Sequence, residues 1–159
     1  MDALNLLALD EEDLQIISAH LQDAVLRVGD MTYLAGEKRF AAVVNRFNWE
    51  NAETRRRSRR YERRRSGLHF DRVFAVTTKG FDRRAESDVL ELLAIRFVLE
   101  DAPAGEIELN FAGGATIRLK VECIEAALND LGAVWETRTL PEHDLDDEAG
   151  PEGGRPQGQ

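Results

Sequence analysis

The sequence predicts an α+β fold: a single domain of about seven antiparallel strands in a meander or roll, with one helix at its N-terminal end and one at its C-terminal end. Three observations predict it. Apolar and polar residues alternate through the middle of the chain, most cleanly at 106–111 and 116–121. Two segments, near 10–22 and 122–131, carry their apolar residues at helical spacing instead. Short breaks containing Gly or Pro separate the alternating runs.

Each element can be argued in order. Leu4–Leu9 is a short apolar run that reads as a strand or docking arm. Asp10 is a good N-cap, and Glu11, Glu12 and Asp13 suit the positive end of a helix dipole. Leu14, Ile17, Ser18 and Leu21 then form one helical face to about Gln22, with His20 at its border. Ala24–Val28, Met31–Leu34 and Arg39–Phe47 read as strands, separated by turns at Gly29-Asp30 and Ala35–Lys38. After an Arg-rich segment, Gly67–Val76 reads as one strand and Thr77–Ser87 as a polar loop.

Residues 88–92 suit helix or strand. The alternation of Leu93, Ile95, Phe97 and Leu99 decides for strand. Between 106–111 and 116–121, an even sum of paired residue numbers keeps both apolar sets on one face. That predicts a three-residue loop, Gly113-Gly114-Ala115, with a glycine at positive φ and Leu109 opposite Leu119. The same parity sets Leu99 opposite Ile107. Cys123, Ile124, Ala127, Leu128 and Leu131 predict the C-terminal helix, with Gly132 to end it, and Ala133–Glu136 a short packed segment. The domain is expected to span 1–140. Residues 141–159 are acidic, rich in Gly and Pro and nearly free of apolar side chains, so a disordered tail is expected there. The order of strands before a closing helix is that of a pleckstrin-homology-like roll, an analogy of element order that assigns no function.

Composition bounds the function. The chain has 159 residues, 21 Lys plus Arg, 30 Asp plus Glu and a net charge of -9. Its one cysteine, Cys123, excludes a disulfide scaffold and a Cys-based zinc site built from this chain alone, and suits a reducing compartment. No run approaches the roughly 18–20 apolar residues of a membrane span. The opening Met-Asp-Ala-Leu-Asn lacks a basic signal region, so a cytoplasmic protein with no membrane contact is expected.

The charge is segregated. Residues 1–54 carry 4 basic and 10 acidic side chains, 55–84 carry 12 and 3, and 85–159 carry 5 and 17. Within the basic third, residues 55–65 hold 8 Arg in 11 positions. Arg is the side chain for bidentate phosphate contact and for stacking on bases, and Tyr61 offers a stacking face. Arg55, Arg56, Arg57, Arg59, Arg60, Tyr61, Arg63, Arg64, Arg65 and Arg72 are therefore the candidate anion-binding residues of an Arg-rich hairpin, with Lys79, Arg83 and Arg84 near it. The expected partner is nucleic acid or an acidic protein. The competing readings are a solvated strand edge kept from pairing by its charge, and neutralisation of the protein's own acids, including Asp144, Asp146, Asp147, Glu148 and Glu152 of the tail.

Other candidates are weaker. His20, His69 and His143 have no metal spacing. His69 and Asp71 share a strand face and form a conceivable acid–base pair, although an outward polar face explains them as well. Cys123 opens the expected helix but belongs to its apolar stripe. Ser18, Ser58, Ser66 and Ser87 lack a nucleophile-elbow context. No cofactor, metal site or catalytic group is expected. Trp49 closes the long strand before the Arg block, and exposure of its ring would favour a ligand surface there.

The pieces Leu-Leu-Ala-Leu-Asp-Glu-Glu-Asp-Leu at 6–14, Ile-Ser-Ala-His-Leu-Gln-Asp-Ala at 17–24 and Arg-Arg-Ser-Gly-Leu-His-Phe-Asp-Arg-Val at 64–73 resemble a small bacterial family known only as a domain of unknown function. The likeness covers about residues 4–138. It implies a bacterial cytoplasmic protein and no catalytic residues. The function expected from all of this is a non-enzymatic binding or adaptor module. The alternatives are a structural or oligomerising protein and an enzyme with scattered site residues.

Overall fold

Eleven strands and one helix make up the computed structural model, which describes residues 3–47, 61–131 and 135–137, with 61, 62 and 135–137 as backbone only. In chain order these are β1 (Asn5–Ala8), α1 (Glu11–His20), β2 (Val25–Arg27), β3 (Met31–Leu34), β4 (Arg39–Phe47), β5 (Tyr61–Phe70), β6 (Val73–Lys79), β7 (Val89–Asp101), β8 (Ala104–Phe111), β9 (Thr116–Val121), β10 (Ala126–Asp130) and β11 (Trp135–Thr137). All strand pairs are antiparallel, in the order β1-β10-β5-β4-β2-β7-β8-β9-β6, with β3 also on β4 and β11 also on β5. The fold is a single domain, mostly antiparallel sheet.

The sheet holds together because its alternation is faithful. Along β4, Phe40, Ala42, Val44 and Arg46 are buried, and along β8, Gly105, Ile107, Leu109 and Phe111. These faces, with Leu68, Phe70, Leu92, Ile95, Ile117, Leu119 and Leu128, join Leu14 and Ile17 of α1 in one core. Asp10 caps α1 as its side chain accepts from the Asp13 N–H at 2.8 Å. The helix also does a strand's work. Where β2 stops beside β7, the Ser18 hydroxyl accepts from the Ile95 N–H at 2.9 Å and the Gln15 amide donates to the Ile95 carbonyl at 3.3 Å.

Several expectations are met. The strand assignments at 24–28, 31–34 and 39–47 and the strand choice at 88–92 all hold, and the β8–β9 loop is three residues long. Its glycines, Gly113 and Gly114, have φ of 83° and 90°. The loop is Ala112-Gly113-Gly114, however, and Leu109 faces Ile117 rather than Leu119. Parity is kept, but the loop starts one residue early because Ala115 is extended, buried in the core and closes the ladder on Phe111. On the β7–β8 hairpin Ile107 faces Phe97, and Leu99 faces Gly105. The strands run on to Asp101 and Ala104, which leaves a two-residue loop of odd sum, and a register irregularity between Leu99 and Asp101 restores the even parity of the pairing beyond it.

Several expectations are overturned: there are eleven strands among the described residues rather than about seven, and Thr77–Lys79, expected in a polar loop, ends β6. Gly67–Val76 is not one strand: β5 ends at Phe70, and Arg72, at φ 64°, turns the chain into β6. The C-terminal helix is absent. Ala126–Asp130 is β10, paired on one side with β1 and on the other with β5. Ala126, Ala127 and Leu128 are consecutive and all buried, the pattern of a strand covered on both faces, and such a run imitates a helical stripe. With the one helix at the N-terminal side, the element order of a pleckstrin-homology-like roll does not describe the described residues. The expected tail at 141–159 lies outside them.

Candidate anion-binding site

The apolar face shared by β4, β5 and β10 changes character at one end. Beyond Val44 comes Arg46, beyond Leu68 come Ser66 and Arg64, and beyond Leu128 comes Asp130. All of these sit on the alternation that faces the core, and Arg46, Arg64 and Ser66 are buried at 1%, 3% and 0% exposure.

They converge on one carboxylate. Arg46 grips Asp130 with two donors, Nε to Oδ1 at 3.2 Å and Nη2 to Oδ2 at 3.0 Å. The Ser66 hydroxyl donates to Oδ1 at 2.7 Å, the Leu4 N–H to Oδ2 at 2.7 Å and Arg64 Nη1 to Oδ2 at 3.3 Å. Burial pushes the Asp130 carboxyl up, but the hydrogen bonds from Arg46, Ser66 and Leu4 and the charge of Arg46 outweigh it, and the group sits below the usual carboxylate range. The remaining Arg46 nitrogen, Nη1, donates to the Phe47 carbonyl at 3.1 Å.

Among the described side chains, buried positive charge exceeds negative here. Arg63, on the opposite face of β5, is also buried at 7% exposure. It stacks over the Phe47 ring at 4.2 Å and donates to the Asn45 carbonyl at 3.4 Å. Desolvation lowers its pKa, against weaker support from the charges of Glu91 and Asp23. Among the described residues Arg63 Nε, Arg64 Nε and Arg64 Nη2 have no hydrogen-bond partner. Two buried guanidinium groups, Arg46 and Arg64, thus share one directly bonded carboxylate, while Arg63 is bonded to none among the described residues.

The other candidates are placed as follows. Arg55, Arg56, Arg57, Arg59 and Arg60 lie outside the described residues, as do Trp49, Ser58 and His143, and Tyr61 opens β5. Arg65 is exposed on β5. Arg72 is exposed and donates to Glu125 at 3.3 Å, a bond that raises its pKa. Arg84 lies 3.4 Å from Asp82. His69 Nδ1 and Asp71 Oδ2 do come within 3.4 Å, but without hydrogen-bond alignment. Arg39 occupies Asp71, with Nε at 2.7 Å, and that bond holds the guanidinium pKa up. Cys123 is a free thiol in the bend before β10, with no helix for it to open.

A cleft of about 210 Å³ lies between β3 and β6, lined by apolar residues including Met31, Tyr33, Phe40, Val76 and Phe81, with Arg83 as its one charged residue. It gathers no set of ionisable groups. Among the described residues no cluster of three His, Cys, Asp or Glu could hold a metal, and no helix is long and apolar enough to cross a membrane.

Arg46, Ser66 and Asp130 were missed as a site by reading the sequence. The Arg46 and Ser66 signal was present: each occupies a core-facing parity position, after Val44 and before Leu68. Asp130 was hidden by its assignment to a helix.

The family model described as "Protein of unknown function (DUF2948)" matches residues 4–143, and the chain belongs to that family. Comparison with curated proteins and with solved structures gives no match.

Proposed function

With that membership as the premise, we propose that the chain is a non-enzymatic binding or adaptor module whose Arg-rich segment contacts an anionic partner, nucleic acid or acidic protein. The observation that supports this reading is the surplus of buried guanidinium groups over bonded carboxylates among the described residues at the β4–β5 end. Placing cations out of water costs free energy unless anions compensate them, and among the described residues one carboxylate is bonded to both Arg46 and Arg64 and none to Arg63. An anionic partner supplies the deficit.

The test is fluorescence anisotropy with a labelled single-stranded RNA and a labelled Glu-rich peptide, on the full chain and on a variant with Arg56, Arg59, Arg60 and Arg65 changed to Ala. The reading expects binding by the wild type that weakens with salt and is lost in the variant. Equal binding by both proteins, or none by either, sinks it.

A second reading has its own support. Among the described residues β1 and β6 each pair on one side only, and carry Leu7 and Phe74 at 62% and 51% exposure. Exposed apolar groups on open edges suit a structural protein that pairs sheet to sheet. In that reading the open edges, rather than β5, mediate contact, since β5 is paired on both sides. Size-exclusion chromatography with light scattering tests it, and a monomer at high micromolar concentration rules it out.

A further inference from the structure

We propose that the cleft between β3 and β6 binds a small amphipathic carboxylate, with its apolar body inside and its carboxylate on Arg83. The site stands apart from the Arg-rich segment and does not depend on the reading above.

The cleft exists because two sheet edges meet without pairing. Among the described residues β3 pairs only with β4, and β6 only with β9. The two edges are tied at one end. There the Tyr33 hydroxyl donates to the Val73 carbonyl at 2.8 Å, and the Val73 N–H donates to the Lys38 carbonyl at 2.9 Å. Past that tie no ladder joins them, and a cleft of about 210 Å³ reaches down to the core. Val28, Phe40 and Ile117 form its floor, each at most 5% exposed. Tyr33, Val76 and Phe81 pack around it, half-buried. All ten residues that line it belong to the described part of the chain.

The charge sits at the rim, where solvent and a ligand can reach it. Arg83 is exposed and is the one charged residue of the lining. No acid lies within ion-pair distance of it among the described residues, whereas its neighbour Arg84 turns back on Asp82 at 3.4 Å. The loop that presents Arg83 is itself held. The Asp82 carboxylate accepts from the Arg84 N–H at 2.9 Å, and the Glu86 carbonyl accepts from the Gly29 N–H at 2.9 Å. Phe81 and Arg83 are therefore kept beside the cleft, at the end of β6 away from the Val73 tie.

Size and charge select the ligand. An apolar cavity of about 150 Å³ takes benzene, so this one suits a body and head of about ten non-hydrogen atoms. Pockets of this kind hold an apolar body by burial and fix its orientation with a few placed polar groups. A guanidinium group offers a carboxylate two parallel donors. One cation matches a monoanion, and the lining has no second basic residue for a dianionic phosphate.

The test uses the full chain labelled uniformly with 15N. Amide resonances are followed by NMR while octanoate, octanol or inorganic phosphate is added. Octanoate is expected to give saturable shifts at Tyr33, Val76 and Phe81, with a Kd of about 0.1–1 mM for a ligand of this size. Octanol, which has the body without the charge, is expected to bind about tenfold more weakly. Arg83→Gln should weaken octanoate about tenfold and leave octanol unchanged, and Arg84→Gln should change neither. The wild-type titrations need no variant and so cover any failure of Arg83→Gln to fold. Octanoate shifts that do not saturate, or that fall outside the cleft, overturn the proposal. So do equal affinities for octanol and octanoate, an Arg83→Gln protein that binds octanoate as the wild type does, or the same shifts with phosphate alone. The variant with Arg56, Arg59, Arg60 and Arg65 changed to Ala should bind octanoate like the wild type, so this site and the Arg-rich segment stand or fall separately.

Discussion

Arg46 and Arg64 stand directly opposite each other in the β4–β5 ladder, and both reach the same carboxylate, Asp130. Like charges in a cross-strand pair repel. The pair is tolerated because Asp130 lies on β10, the next strand over, where it accepts from both arginines as well as from Ser66 and the Leu4 N–H. One acid thereby ties β1, β10, β5 and β4 together.

Asp130→Asn should therefore be strongly destabilising. It removes the one anion from two buried cations, a change of about 3–5 kcal/mol for a broken buried pair. Replacing Arg46, Arg64 and Asp130 together by Met, Leu and Leu should cost far less, because no buried charge is left alone. Urea unfolding of the two variants checks the ordering. A single Asp130→Asn as stable as the triple replacement contradicts it.

The same carboxyl gives stability a pH dependence of known sign. Its folded pKa lies below its ordinary value, so the unfolded chain binds that proton more readily. The contribution is complete well above the ordinary Asp value of about 3.9 and is lost as pH falls through the lower, folded value. Urea midpoints measured from pH 7 down to pH 3 should drop in the wild type, and the part due to Asp130 should vanish in Asp130→Asn. Identical slopes in the two proteins would show that other groups carry the acid lability.

How much of this was legible depends on what period 2 can and cannot encode. The runs 39–47, 106–111 and 116–121 are half-buried strands, and alternation found all three. β10 is buried on both faces, so it shows no alternation, and Ala126, Ala127 and Leu128 fell into a helical pattern. Loop parity could be read from side-chain faces, but a slide of two in register keeps every residue on its face and leaves no trace in the pattern. The Arg block was conspicuous by composition. That Arg63 and Arg64 lie in a strand flanked on both sides was not, because beyond β4 the other side of β5 is taken by β10 at Ser66–Phe70 and by β11 at Tyr61–Arg63.

Arg63 should separate binding from stability. Its guanidinium is desolvated, stacks on Phe47 and has no acid bonded to it among the described residues. Arg63→Leu keeps apolar contact with the ring and removes the buried charge, so the folded state should change by less than about 1 kcal/mol or gain. Binding of an anionic partner should weaken in the same protein. Thermal melts paired with anisotropy check this, and a loss of stability comparable to that of Asp130→Asn refutes it.

Ser18→Ala should expose how much α1 contributes as a substitute strand. The hydroxyl accepts the Ile95 N–H in the buried gap beyond β2, and without it that donor is orphaned. The expected cost is about 1–3 kcal/mol, measurable by urea unfolding. Hydrogen exchange should quicken at the Ile95 amide while the β8–β9 ladder stays protected, because that pairing lies on the far side of β8.

Gly80→Ala tests the turn that leaves β6. The residue has φ of 87°, and an added Cβ would lie 2.9 Å from Ala115 Cα and 3.0 Å from the Gly114 carbonyl oxygen. Both neighbours are backbone, and Ala115 is fixed in the core at 4% exposure, so neither can yield cheaply. Strain at positive φ adds to the clash, for a loss of at least about 1–3 kcal/mol. Gly113 has φ of 83° but open space around its Cβ position. Gly113→Asn should cost much less, since Asn tolerates the left-handed region. A Gly80→Ala variant no less stable than Gly113→Asn in thermal unfolding would mean that the Gly80 turn rearranges freely.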